Sequence, residues 1–361
     1  MEIPEHVRRA VELAVHRGLR SELDARGLLL TPEALASATA EAARSGAALL
    51  QRVVEHCYPD GPAGARRVEY DDDRAARRIG LGLAFGAVTA GLLAPPRADR
   101  GRAAATGLAC AVLNLGVGLI DSLCDGAQPL GLELLRRIRS LDLAGIGRSP
   151  WPAGRLRSAL PAPLVADPTV AFAARLVEAF VDLLHTSHPA EEDAPLRDRV
   201  GALLEQASAA ERLSVELPDG SATRDRLIAC SRSTSVLPFQ IIEHLATGLP
   251  ALPAPTAGTL LGEAMWRIDD LVDLAQDAAG GALNSVLLAT ADAPRSAPTR
   301  DGTAALERVL ASGVIAPTAA EAAKYLEAGL TAASGGSGTR ADRSAFLAFI
   351  HRYAGISSGD R

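Results

Sequence analysis

Asn114-Leu115-Gly116-Val117-Gly118-Leu119-Ile120-Asp121-Ser122-Leu123-Cys124-Asp125-Gly126 closes a long apolar run with two aspartates four residues apart. A second stretch far downstream has the same build: Met265-Trp266-Arg267-Ile268-Asp269-Asp270-Leu271-Val272-Asp273-Leu274-Ala275-Gln276-Asp277. A four-residue step returns to the same side of an α-helix. Asp121 and Asp125 therefore share one helix face, and Asp269, Asp273 and Asp277 share another, with Asp270 beside them. Like charges at this spacing cost a helix roughly 0.2–0.5 kcal/mol per pair. A buried carboxylate without a partner costs far more. A hard divalent cation compensates naturally: Mg²⁺ takes oxygen ligands, typically one or two carboxylates completed by substrate phosphate oxygens. The plain alternative is two solvated helix faces, which the apolar flanks of the first stretch (112–120 and Leu123) disfavour.

The rest of the chain agrees with helices. Of 361 residues, 48% are apolar and 3% aromatic, and the apolar share is Ala and Leu rather than Val and Ile. Periodicity predicts helices over 5–17, 33–56, 102–125, 130–139, 169–186, 197–213, 223–246, 258–277 and 341–353. Breaks fall at turn chemistry such as Pro59-Asp60-Gly61-Pro62, Pro95-Pro96 and Pro218-Asp219-Gly220. No alternating strand run and no fixed-period repeat is found. Residues 291–303 read as a surface loop, and 334–339 (Ser-Gly-Gly-Ser-Gly-Thr) as a flexible linker. Asp71-Asp72-Asp73 suits a helix N-terminus. The expected architecture is an all-α bundle, with residues 1–60 as an N-terminal helical extension and 61–361 as the main domain.

Several classes are excluded. A net charge of −6 disfavours nucleic acid as a partner. Cys57, Cys110, Cys124 and Cys230 show no paired spacing for zinc or a disulfide framework, and nothing near Cys124 would activate it as a nucleophile. The charged start from Glu2 lacks the apolar core of a signal peptide. The apolar stretch 79–95 holds four glycines and ends at Pro95-Pro96, against a spanning helix. A cytoplasmic protein without a transmembrane segment is expected. Of the 37 basic residues only Lys324 is lysine, so a motif that wants Lys is expected to carry Arg.

With these residues in hand, the sequence resembles the trans-isoprenyl diphosphate synthase and class I terpenoid synthase superfamily. That family carries two Asp-Asp-x-x-Asp motifs on facing helices. The second is matched in full by Asp269-Asp270-Leu271-Val272-Asp273. The first is matched as Asp121-Ser122-Leu123-Cys124-Asp125, where Ser122 replaces an aspartate but the first and fifth positions, the family's metal ligands, are kept. Arg77-Arg78 corresponds to a basic segment ahead of the first motif, and Arg232-Ser233-Thr234 to a Lys-Thr pair ahead of the second. The resemblance covers about residues 74–290.

The resemblance implies a class I isoprenoid synthase bundle around a central apolar cavity. Asp121, Asp125, Asp269 and Asp273, with Asp270, would hold Mg²⁺, commonly three ions, against an allylic isoprenyl diphosphate. Arg77, Arg78, Arg232, Ser233, Thr234 and Arg267 would grip the diphosphate, and Trp266, Met265, Phe239 and Phe85 would wall the cavity, although each of these four is equally an ordinary core residue. A homodimer follows from the family alone. The departures narrow the activity. Chain-elongating members carry Arg-Arg shortly after the first motif, where this chain has Gly126-Ala127-Gln128-Pro129-Leu130. They also carry Phe-Gln before the second, here Met265-Trp266. The expected activity is therefore a terpene synthase or prenyltransferase that does not use isopentenyl diphosphate as acceptor. The alternatives are a chain elongator using Arg66, Arg67 or Arg136 in new places, and a non-catalytic synthase-like subunit. His185 and His188, beside Pro189, are expected at the surface.

Overall fold

The computed structural model describes residues 3–58, 73–95, 100–126, 128–147, 149–216, 223–291, 301–333 and 339–356. Among the described residues every regular element is a helix. The chain runs α1 (Glu5–Ala25), α2 (Pro32–Cys57), α3 (Asp73–Leu93), α4 (Arg100–Gly126), α5 (Gln128–Ser140), α6 (Arg155–Ala159), α7 (Ala162–Ala166) and α8 (Pro168–Ser187). It continues through α9 (Ala194–Glu216), α10 (Arg224–Thr247), α11 (Ala257–Val272), α12 (Leu274–Gly280), α13 (Ser285–Ala289), α14 (Gly302–Ser312), α15 (Ile315–Ala333) and α16 (Arg340–Tyr353).

Local chemistry sets the boundaries. Thr31, Asp167, Thr223, Thr256 and Asn284 cap helix N-termini by accepting backbone N–H groups, as short oxygen-bearing side chains do. Gly248 and Gly281 end α10 and α12 at φ 70 and 71°, in the left-handed region that glycine enters without a Cβ penalty.

α4 lies at the centre, packed on α3, α8 and α5, and α10 bridges it to α11. α11 packs on α15, and α1 lies along α15. Small residues let the helices that carry the aspartates approach their neighbours. A Cβ at Gly86 would stand 2.3 Å from the Cys110 carbonyl oxygen, so α3 and α4 touch backbone to backbone. A Cβ at Gly262 would stand 2.7 Å from Cα of Val236, which seats α11 on α10.

Residues 1–60, set apart above as an extension, contribute Val7, Val11, Leu19, Leu28 and Val53 to the same hydrophobic core as α4, α10 and α11. The apolar stretch from residue 79 forms the C-terminal part of α3. Among the described residues, Gly101–Asp125 within α4 is the one helix long and apolar enough to cross a membrane, and 50% of its most apolar window is buried inside the protein. Of the linker predicted at 334–339 only Thr339 is described, as the cap of α16, and most of the loop predicted at 291–303 lies outside the described residues.

Candidate functional site

α4 delivers Asp121 and Asp125 one turn apart near its C-terminus, as the spacing requires. α11 delivers Asp269 and then stops at Val272; Asp273 sits at the break (φ −91°, ψ 3°) before α12 resumes. The structure brings these two pairs together. Asp121 feels Asp125, Asp269 and Asp273, and Asp269 feels Asp273 and Asp125. Glu211 of α9 joins them beside Asp121 and Asp125.

The electrostatics are unfavourable throughout. Asp121 and Asp125 reach solvent, but protein crowds them closely. Desolvation, then Glu211 and the other aspartates, raise Asp121 well above the usual carboxylate range. Desolvation and Asp273 raise Asp125. Burial lifts Asp269 to about 7, partly offset by a hydrogen bond from Tyr353 and reinforced by Asp273, Asp270 and Asp125. Burial and Asp125 lift Glu211 to about 7, against a hydrogen bond from Cys124. Among the described residues no arginine forms an ion pair with Asp121, Asp125, Asp269, Asp273 or Glu211. The hydrogen-bond donor to the second pair is neutral: the Tyr353 hydroxyl donates to Asp269 and lies 3.2 Å from Asp273 Oδ2.

Asp270 belongs to a different environment. It is 4% exposed and accepts hydrogen bonds from the Ser285 amide at 3.0 Å and the Ser285 hydroxyl. Asn284 donates to the Asp270 carbonyl at 2.7 Å and to Asp277 Oδ2 at 2.8 Å. Asp270 thus fastens the turn into α13, while Asp269 and Asp273 face the cluster.

Beside the carboxylates opens an apolar cavity with about 770 Å³ of empty space, counting the part open to solvent. α4 supplies Val112, Leu113, Gly116, Val117 and Ile120. α5, α8 and α9 add aliphatic side chains, with Phe180 as the single aromatic lining residue among the described ones. Among the described residues Glu211 is the only ionisable lining residue, and Ser208 and Thr234 are the other polar ones. The buried Ser208 hydroxyl has no hydrogen-bond partner among the described residues. Pro238, also on the lining, sits inside α10 and has no N–H to give the Thr234 carbonyl one turn earlier.

The other residues singled out from sequence fall elsewhere. Arg232 and Arg267 both pair with Glu263, Arg267 at 2.7 Å, and together they lower the Glu263 carboxyl although burial opposes them. Arg267 also lies between the Trp266 and Tyr325 rings, at 4.6 and 4.5 Å from their centroids. Ser233 donates to the Ala229 carbonyl, and Thr234 to that of Ser231. Trp266 is buried and donates to Ser231 Oγ at 2.9 Å. Met265 packs on the core. Phe85 and Phe239 meet edge to face at 6.1 Å in an aromatic group with Phe346. None of Trp266, Met265, Phe239 and Phe85 lines the 770 Å³ cavity; Phe85 lines a smaller one against α2 and α16. Arg77 and Arg78 stand in α3, but their side chains lie outside the described residues, as do Arg66 and Arg67 altogether. The surface expectation for His188 is corrected: it is fully buried, its Nδ1 bonded to Ser187 Oγ, because the chain turns inward under Arg197, which holds the His188 and Ala190 carbonyls. His185 is half-buried against the Ile146 carbonyl.

The donor set is all oxygen, which suits a hard divalent cation. Among the described residues no three acidic, histidine or cysteine side chains converge tightly enough to cage a metal unaided. A cation there would need further oxygen ligands from water or a bound phosphate, as Mg²⁺ commonly takes. Tyr353 and Glu211 escaped sequence reasoning. The chain matches no protein-family model and no curated protein, and the fold matches no solved structure.

Proposed function

We propose that the protein is a class I isoprenoid synthase that ionises an allylic diphosphate with Mg²⁺, without isopentenyl diphosphate as acceptor. One observation carries this reading: two aspartate pairs, 148 residues apart from 121 to 269, meet beside an apolar cavity. Mutual repulsion among desolvated carboxylates is a standing cost that bound cations would remove. Asp121 and Asp125 from α4 and Asp269 and Asp273 from α11 would hold the ions, with Glu211 close by. When bound, Mg²⁺ would act as Lewis acid toward the departing diphosphate.

The chain's own residues would do the rest. The aliphatic lining accepts a prenyl chain and keeps water from the allylic cation. With Phe180 as its one aromatic ring, the lining offers little cation–π support for a long cyclisation cascade. Arg232, 47% exposed on its pair with Glu263, is the candidate diphosphate-binding arginine that keeps a solvent-facing side. A cytoplasmic location fits a diphosphate substrate.

The test is incubation with Mg²⁺ and geranyl, farnesyl or geranylgeranyl diphosphate, each with and without isopentenyl diphosphate, with mass-spectrometric product analysis. A hydrocarbon or alcohol formed without isopentenyl diphosphate, and lost in Asp121→Ala and Asp269→Ala, is the expected result. A longer diphosphate formed only with it would mean elongation. No turnover and no Mg²⁺-dependent binding of a diphosphate analogue would mean a non-catalytic chain.

A further inference from the structure

We propose that Tyr353 is a positioning residue for the second aspartate pair, engaging one oxygen each of Asp269 and Asp273 and leaving the other oxygen of each to a divalent cation. The inference rests on the cation-binding reading above and adds to it a residue from the C-terminal helix. The hydroxyl donates to Asp269 Oδ1 and stands 3.2 Å from Asp273 Oδ2. A phenol has a single proton to give, so the two carboxylates share it, Asp269 as the near acceptor and Asp273 as the far one, and both are drawn to one point. Among the described residues no hydrogen bond reaches Asp269 Oδ2 or Asp273 Oδ1.

The pair needs such a tie because its two members differ in backbone support. Asp269 stands within α11, whereas Asp273 sits at the break before α12. A hydroxyl shared between them sets their separation independently of that break. The hydroxyl is itself held firmly. Tyr353 stacks on Phe349 with centroids 6.1 Å apart, and Phe349 stacks on Phe85 of α3 at 3.8 Å. At its other end α16 is fastened by a capping box between Thr339 and Asp342. An aromatic column thus runs from α3 through α16 to the aspartates. Outer partners that orient ligating carboxylates typically matter about 10- to 100-fold in metal affinity.

The experiment compares the wild type with Y353F, which keeps the ring and deletes only the hydroxyl. Mn²⁺ uptake in the presence of inorganic pyrophosphate is followed by electron paramagnetic resonance, beside thermal unfolding without metal. Half-saturating Mn²⁺ is expected to rise about 10-fold in Y353F while cooperative unfolding is retained. In turnover with an allylic diphosphate, half-saturating Mg²⁺ is expected to rise while kcat at saturating Mg²⁺ changes little. A second variant, F349L, keeps the hydroxyl but loosens the ring, and an intermediate rise is expected. Wild-type Mn²⁺ affinity in both variants would overturn the role of Tyr353 and leave the site reading intact. Absence of uptake by the wild type would overturn both.

Discussion

Replacing Asp269 by asparagine is expected to stabilise the metal-free protein while abolishing activity. Burial moves this carboxyl from an ordinary 3.8 to about 7 in the folded chain. The native state therefore keeps a proton that the unfolded chain has released, and stability falls as pH rises from about 4 to about 7. Below that window both states are protonated and the penalty is absent; above it the penalty is constant. At about 1.36 kcal/mol per pH unit, the full displacement would amount to roughly 4 kcal/mol. Asp269 is only half-buried, and water screening reduces this to about 2 kcal/mol. Asparagine has the same shape, still accepts from Tyr353, and carries no such penalty. With unfolding entropy of about 2.1 cal/mol/K per residue, the gain corresponds to about 2–3 °C in Tm for a chain of 361 residues. Melting wild type and D269N in chelator from pH 4 to pH 8.5 should show coincident Tm values at the acid end and a gap opening toward pH 7. Adding Mg²⁺ with pyrophosphate at pH 8 should raise the wild type and not the variant. A gap of constant size across the series, or a less stable D269N at pH 8, would refute the argument that these carboxylates are held against their own repulsion.

Three further outcomes follow from the packing around the site. Gly131→Ala would drive a Cβ to within 2.7 Å of the Cys124 backbone nitrogen; urea unfolding should show a loss of about 1–3 kcal/mol, with half-saturating Mg²⁺ raised because α5 pushes the first aspartate pair aside. Val117→Phe fills the cavity one turn below Asp121 and should favour geranyl over farnesyl diphosphate by about 10-fold or more in kcat/KM, read in competition assays. Glu263→Gln removes the anchor shared by Arg232 and Arg267 and should cost about 2 kcal/mol in urea unfolding, a loss that neutralising either arginine alone would not fully reproduce.

The helices that carry the site were legible because aspartates at four-residue steps stand out against apolar neighbours, and that contrast survives without any partner in view. α14 and α15 were not. The buried face of α15 is largely Ala319, Ala322, Ala323 and Gly329, and alanine gives little hydrophobic contrast with the polar positions between. The aspartate spacing placed each pair on a face but said nothing about the carboxylate that α9 would bring. Glu211 sits in Ser208-Ala209-Ala210-Glu211-Arg212, which reads as any solvated helix turn until Asp125 stands opposite. Tyr353 was hidden for the same reason, since its partners lie 84 and 80 positions away. Arg232 and Arg267 stood out in the sequence as basic residues near the second motif, but only the fold shows Glu263 between them.

The placement of the arginines is itself an argument about the site. A chain with 37 basic side chains could settle a crowded carboxylate cluster by ion pairing, as it does at Glu263, Glu178 and Glu216. At Asp269 and Asp273 it supplies a phenol, which orders the carboxylates without neutralising them. Carboxylates kept in this way relieve their repulsion by holding protons, as the raised Asp269 and Glu211 carboxyls show, and a bound cation would relieve it in place of those protons. Carboxylates from separate helices that form no closed cage would bind a cation weakly on their own, and on the proposed reading a diphosphate would add both oxygen ligands and negative charge of its own. Cation and diphosphate should therefore bind with positive coupling, each raising the affinity for the other by the same factor. Titrating Mn²⁺ at increasing pyrophosphate, and pyrophosphate at increasing Mn²⁺, must then give equal shifts. Independent binding of the two would mean that the carboxylates and the cavity serve different ends.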